Sequence, residues 1–132
     1  MGSLVEIVQD KIKIAVIRAH HRPFFTWFFR IYSEQMIRRN FRKVKLTGEF
    51  HDKGLPVLMI GNHFSWWDGF IANLINTKFL RRKFHIMMLE DQLRHRMFLN
   101  KAGAYSIRKG SRSAIESFQY TAGLLKDAGN LV

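Results

Sequence analysis

Apolar and polar positions change period several times along the chain, and each change predicts an element. Over residues 3–20, Leu4, Val8, Ile12, Ala15 and Ala19 recur at three- and four-residue spacing with Gln9, Asp10, Lys13 and Arg18 between them, which predicts an amphipathic helix. Pro23 interrupts it. Residues 24–40 predict a second helix, with Phe25, Phe28, Phe29, Tyr32 and Met36 on one side, Trp27 and Ile31 widening that face, and Arg38, Arg39, Arg42 and Lys43 at its end. Residues 44–48 alternate like a half-buried strand, and residues 52–56 make a turn. Residues 57–60, apolar at every position, predict a strand buried on both faces, stopped by Gly61 and Asn62. Helix over 70–79, strand over 84–89, short helix over 91–100, strand over 103–107, helix over 113–126 and a final strand beginning at 129 follow in turn. This strand–helix–strand rhythm predicts an α/β fold: a largely parallel sheet flanked by helices, preceded by an amphipathic N-terminal helix pair. Residues 1–40 then form the helix pair and residues 41–132 the α/β domain.

The chemistry concentrates in the turn after the strand at 57–60. His63 stands at that strand's carboxyl end, the edge where open α/β sheets bind ligands. Asp68 follows five residues later, and a carboxylate so placed can accept the Nδ1 proton of His63 and leave Nε2 to take a proton from a hydroxyl. Trp66 and Trp67 would exclude water. Taken alone, His63 reads as a structural loop residue and Asp68 as a helix cap; their pairing at a strand end favours a His-Asp dyad. A second cluster, Arg108-Lys109-Gly110-Ser111-Arg112, also lies between a predicted strand and a helix N-terminus, a natural phosphate cradle, although an isolated basic loop would read the same way. The run Arg81-Arg82-Lys83 reads as a solvated helix end, and His85 as a packed or edge residue. His20, His21, His51 and His95 show no metal-ligand spacing.

The segment Asn62-His63-Phe64-Ser65-Trp66-Trp67-Asp68 resembles the Asn-His-x4-Asp block of the glycerolipid acyltransferases, the lysophosphatidate acyltransferase family. Gly103-Ala104-Tyr105-Ser106-Ile107-Arg108-Lys109 is similar to the family's later block, which binds the acceptor phosphate; Arg108 is one place early and Lys109 stands at the usual arginine, so either is the phosphate contact. The resemblance implies transfer of a fatty acyl group from an acyl thioester to the hydroxyl of a lysophospholipid, in phospholipid biosynthesis. His63 is then the general base and Asp68 its orienter, while Ser65, without a Gly-x-Ser-x-Gly elbow, is assigned to substrate binding and not to nucleophilic attack. No metal or other cofactor is implied; acyl-CoA or acyl carrier protein is a co-substrate. The family's Pro-Glu-Gly-Thr-like block has no counterpart here, so the chain is expected to be the first part of the domain and inactive as it stands.

Composition narrows the partners. Lys and Arg number 22 against 10 Asp and Glu, a formal charge of +12, and Cys is absent. Thiol catalysis and cysteine-based zinc sites are therefore excluded, and an anionic partner is expected: a phosphorylated substrate, an anionic lipid surface or a nucleic acid. Apolar runs fall short of the roughly 20 residues of a spanning helix, and neither a secretory signal nor a myristoylation motif is recognised. The aromatic face of residues 24–40 suits either a core or a membrane interface; the lipid chemistry implied by the dyad favours the interface, hence monotopic attachment to the cytoplasmic face of a membrane. Nucleic acid is not an expected partner, since no nucleic-acid motif accompanies the charge. Two alternatives stay open: an acyltransferase acting on a lyso-aminolipid, and a non-catalytic basic module that binds membrane or nucleic acid.

Overall fold

The computed structural model describes residues 16–62, 65–109 and 112–132. Residues 16–22 run without helix along the outer edge of the domain. Ile17 exchanges hydrogen bonds with Ser106, its N–H donating to Oγ at 2.7 Å and its carbonyl accepting the Ser106 N–H at 3.0 Å. Further along, His20 and Arg22 donate their N–H groups to Asn100 O (3.1 Å) and Lys101 O (2.9 Å). The predicted helix over 3–20 thus lies outside the described residues as far as 15 and is corrected for 16–20. Backbone groups bonded to a neighbouring segment cannot also close helical turns, and Pro23 pushes the residue before it into extended geometry, as seen at Arg22 (φ −120°, ψ 132°).

Helix α1, Pro23–Asn40, starts with proline at its first turn, where the missing N–H has no helical partner in any case. Its buried residues are Phe29, Ser33 and Ile37. Helix α2, Trp67–Ile75, crosses it, with Phe70 against Phe29 at a ring separation of 5.7 Å, and continues through a π turn, Asn76–Leu80. The Asn76 side chain closes that turn, donating to Arg82 O at 2.8 Å and accepting the Arg82 N–H at 2.9 Å.

Four parallel runs make the sheet. β1, Lys83–Phe84, pairs with β4, Asn130–Leu131; β2, Ile86–Leu89, pairs with β3, Ala104–Ile107. His85 joins the two ladders. Its N–H donates to Leu131 O at 2.9 Å on one side, and the Ile86 N–H donates to Gly103 O at 3.1 Å on the other. Residues 57–59 lie against β4, through Val57 N–H to Asn130 O (3.1 Å) and Met59 N–H to Val132 O (2.7 Å). The order across the sheet is therefore 57–59, β4, β1–β2, β3. Between β2 and β3 come α3, Glu90–Arg94, and a 3₁₀ segment, Met97–Ala102; helix α4, Arg112–Leu124, precedes β4. Gly103 has φ 119°, and a Cβ there would collide with the Phe84 carbonyl and approach His21 Nε2 to 2.8 Å, so the turn into β3 requires glycine.

The mixture of helices and short parallel strands matches the hydrophobic rhythm, with three corrections. Residues 57–60 are not buried on both faces: Val57 and Met59 pack on the core, whereas Leu58 and Ile60 are exposed, Ile60 by 83%. They form an edge run bonded on one side to β4, so only alternate side chains meet the core. The strand expected at 44–48 is absent and its residues are exposed, because no described strand lies beside it to complete a ladder. Arg82 is also not a solvated helix end. Its side chain is only 7% exposed and ties three loops together, bonding Asp52 Oδ1 (2.7 Å), Leu55 O (2.8 Å) and Ala128 O (3.2 Å). Among the described residues no helix is long and apolar enough to cross a membrane.

Candidate active site

All four runs point their carboxyl ends the same way, and the candidate residues gather along that edge. His63 lies outside the described residues. Its proposed partner Asp68 sits in the first turn of α2, where its Oδ2 accepts the Ser65 N–H at 3.1 Å while Ser65 Oγ accepts the Trp67 N–H at 3.3 Å. The two bonds tie the entrance of the helix: the Asp68 carboxylate reaches back three residues to the Ser65 N–H, and the Ser65 hydroxyl takes the N–H of Trp67. This bonding fixes a carboxylate in the first turn of α2, where the helix dipole favours negative charge. Gly69 lets this end approach the sheet closely, since a Cβ there would press on Ile86 Cδ1 at 3.3 Å.

Arg108, at the end of β3, does not stand alone. Its guanidinium donates through Nε to Glu90 Oε2 and through Nη2 to Glu90 Oε1 at 2.9 Å. Arg94, one helical turn after Glu90, donates to the same Oε1 through Nε (2.9 Å) and Nη2 (2.6 Å). Glu90 is buried, its side chain 5% exposed, whereas the side chains of Arg94 and Arg108 are 57% and 52% exposed. The Arg108 hydrogen bonds, opposed by burial and reinforced by Arg94, hold the Glu90 carboxyl below its usual range; reciprocally, Glu90 raises the Arg108 pKa. Lys109 is exposed in the turn that follows.

The sheet order separates the two clusters. The run at 57–59 and β3 are opposite edges, three strand spacings or about 14 Å apart. Aromatic side chains fill part of the gap: Trp66 packs on Phe70 at 5.8 Å, and the Arg96 guanidinium lies 4.7 Å from the centre of the Trp66 ring. The structure thus brings Ser65 together with Asp68, and Arg108 together with Glu90, on one edge. Glu90, Arg94 and Arg96 had no part in the expected site. The four-residue spacing from Glu90 to Arg94 is legible in the sequence as a helical ion pair, but the meeting of Glu90 with Arg108 depends on β2 lying beside β3. No group of acidic and histidine side chains suited to a metal ion occurs among the described residues.

The aromatic face of α1 divides in two. Phe29 is buried with Ser33 and Ile37, while Phe24, Trp27, Phe28 and Tyr32 are exposed. Phe24 stacks on Phe28 at 6.3 Å and Phe28 on Tyr32 at 5.8 Å; Tyr32 meets Phe70 at 5.8 Å. Tyr32 touches the buried Phe70, on whose ring Trp66 also packs, next in the chain to Ser65. No protein-family model, curated protein or solved structure matches this chain.

Proposed function

We propose that the chain belongs to a membrane-associated acyltransferase that moves a fatty acyl group from acyl-CoA or acyl carrier protein to the hydroxyl of a lysophosphatidate-like acceptor. The observation that carries this reading is the Asn62-His63-x4-Asp68 block, with Asp68 held in the first turn of α2 by Ser65 at the carboxyl edge of a parallel sheet. His63 Nε2 takes the proton of the acceptor hydroxyl as its oxygen attacks the thioester carbonyl. The tetrahedral intermediate then collapses, the thiolate leaves, and the proton passes from the imidazolium to the thiolate. Asp68 orients the imidazole and balances its charge. The thioester is already activated, so this chemistry draws on no metal.

The exposed rings of α1, with Trp66 also exposed, support a site that opens at a membrane interface. Aromatic rings settle at headgroup depth, and the excess of cations suits anionic lipid. An acyl chain reaches such a site without passing through water, where each exposed methylene costs about 0.8 kcal/mol. The test is acyl transfer by the intact protein carrying His63→Ala or Asp68→Asn. Loss of a positioned base lowers the rate by roughly 10²–10⁴-fold. In Asp68→Asn the amide oxygen can still accept the Ser65 N–H, so this variant keeps its cap and its unfolding midpoint while losing activity. Normal transfer by His63→Ala would end this reading.

A further inference from the structure

We propose that a groove between the amino end of α1 and the start of β1 binds one anionic phospholipid, as a resident ligand and not as the acyl acceptor, with its phosphodiester between Arg30 and Lys83 and its acyl chains along the exposed rings of α1. The groove has a volume of about 400 Å³, within the range of small-molecule sites, and is lined by His21, Pro23, Thr26, Trp27, Arg30 and Lys83. No carboxylate stands among these residues. Unlike Arg82, Arg94 and Arg108, neither Arg30 nor Lys83 enters an ion pair among the described residues. Glu34, one turn after Arg30 on α1, already accepts from Arg38 at 2.8 Å and from Lys78 at 3.1 Å. The charge of Lys83 falls on His21 and His85. Two cations without a carboxylate between them focus positive potential in a concave surface, which favours an anion there.

The walls of the groove decide which anion. Trp27 is 53% exposed and its ring lies 6.3 Å from that of Phe24, which begins the stack through Phe28 to Tyr32. From Phe24 to Tyr32 this ridge is about 12 Å long, so a ligand with its anion in the groove has apolar surface beside it. A phospholipid supplies both parts, whereas inorganic phosphate supplies only one. A zwitterionic lipid is disfavoured, because its headgroup cation meets Arg30 and Lys83. The groove is also remote from the candidate chemistry. Lys83 begins β1 six residues before Leu89 ends β2, which puts the groove about 20 Å along the strands from the carboxyl edge that holds Ser65 and Asp68. A lipid seated there fixes the amino end of α1 in the headgroup layer. The inference rests on the membrane attachment proposed above and is independent of the acyl-transfer chemistry.

Isothermal titration of the whole chain with short-chain phospholipids below their micelle concentration tests the groove apart from any membrane. Dihexanoyl-phosphatidylglycerol is expected to bind with one-to-one stoichiometry, at least about tenfold more tightly than dihexanoyl-phosphatidylcholine or inorganic phosphate. Arg30→Gln/Lys83→Gln should weaken it by about tenfold or more. Lys45→Gln/Lys126→Gln removes the same charge from exposed side chains that do not line the groove, and should leave the affinity unchanged. Equal losses in the two double variants would mean that only net charge is read, and would overturn the proposal. Equal binding by the choline lipid or by inorganic phosphate overturns it as well. Should Arg30→Gln/Lys83→Gln not fold by circular dichroism, Trp27→Ser takes its place: charge is retained and the apolar wall is lost, so lipid affinity must still fall by about tenfold, and undiminished affinity overturns the proposal equally. Vesicle co-sedimentation separates this inference from the reading on which it rests. Binding of the monomeric lipid without binding to anionic vesicles would remove the membrane reading and leave the groove standing, and vesicle binding without a monomeric-lipid site would do the reverse.

Discussion

His21 and His85 meet edge to face at a ring separation of 4.7 Å where the strap of residues 16–22 crosses the sheet. His21 Nε2 lies 2.7 Å from Phe84 O, and His85 Nδ1 lies 3.1 Å from Lys83 O and 3.3 Å from Leu131 O. These partners are carbonyls, so each of those ring nitrogens carries a proton and donates. Burial, with the neighbouring charges of Lys83 and His20 at His21 and of His21 and Lys83 at His85, lowers both pKa values below the ordinary 6.5. The unfolded chain therefore binds more protons than the folded one below that value. Stability from the pair is complete above pH 6.5 and is lost as pH falls from there through the depressed folded values. The urea midpoint should be lower at about pH 5.5 than at about pH 7.5, with the difference reduced in His85→Gln. An equal pH response in the variant would place the titrating groups elsewhere. At the same scale, the Asn62-His63-x4-Asp68 spacing was legible because it is local, whereas the Glu90–Arg108 pair, separated by 18 residues, was not.

Helices were legible from periodicity, but the contact between them was not. Ser33 is a polar residue on the inward face of α1, and it meets Asn73, a polar residue on the inward face of α2. Ser33 Oγ donates to Phe29 O at 2.7 Å and accepts from Asn73 Nδ2 at 3.2 Å, in a seam where Phe29 and Tyr32 meet Phe70. Ser33→Ala leaves the Asn73 amide buried without that acceptor and should cost about 1–3 kcal/mol. Removing both partners in Ser33→Ala/Asn73→Leu should cost less than the sum of the two single changes, a coupling read from chemical denaturation of the four proteins. Additive losses would mean that the two side chains act independently. The edge run at 57–60 carries the opposite lesson. Its uninterrupted apolar character is the same for a strand covered on both faces and for one with its outer face bare, and only its neighbours distinguish them.

For the molecule as a whole, the exposed ridge is the feature on which the proposed membrane attachment is tested. Phe24, Trp27, Phe28 and Tyr32 occupy one side of α1 while Phe29, Ser33 and Ile37 anchor the other, so the ridge can change without emptying the core. Replacing Trp27 and Phe28 by serine should leave the fold intact and sharply reduce binding to anionic vesicles in co-sedimentation. High salt should reduce it only in part, because screening acts on Arg38, Arg39, Arg42 and Lys43 and not on buried apolar area. Undiminished binding by the folded double variant would show that these rings do not form the lipid-facing surface.

The sequence by itself determined what short-range patterns control: the alternation of helices with short parallel strands, the helix at 24–40, the cationic excess, and the Asn62-His63-x4-Asp68 spacing. Each depends on residues within a few positions of one another, or on composition. Tertiary structure alone decided the rest. It straightened residues 16–20 along β3, left residues 44–48 outside any sheet, made 57–60 an edge, and turned Arg82 inward. It also bound Arg94 and Arg108 to one buried carboxylate. Residues 44–48 stay in water; in the other cases a backbone or charged group, once removed from water, had to find a partner, and the partner it found lay far away in the sequence.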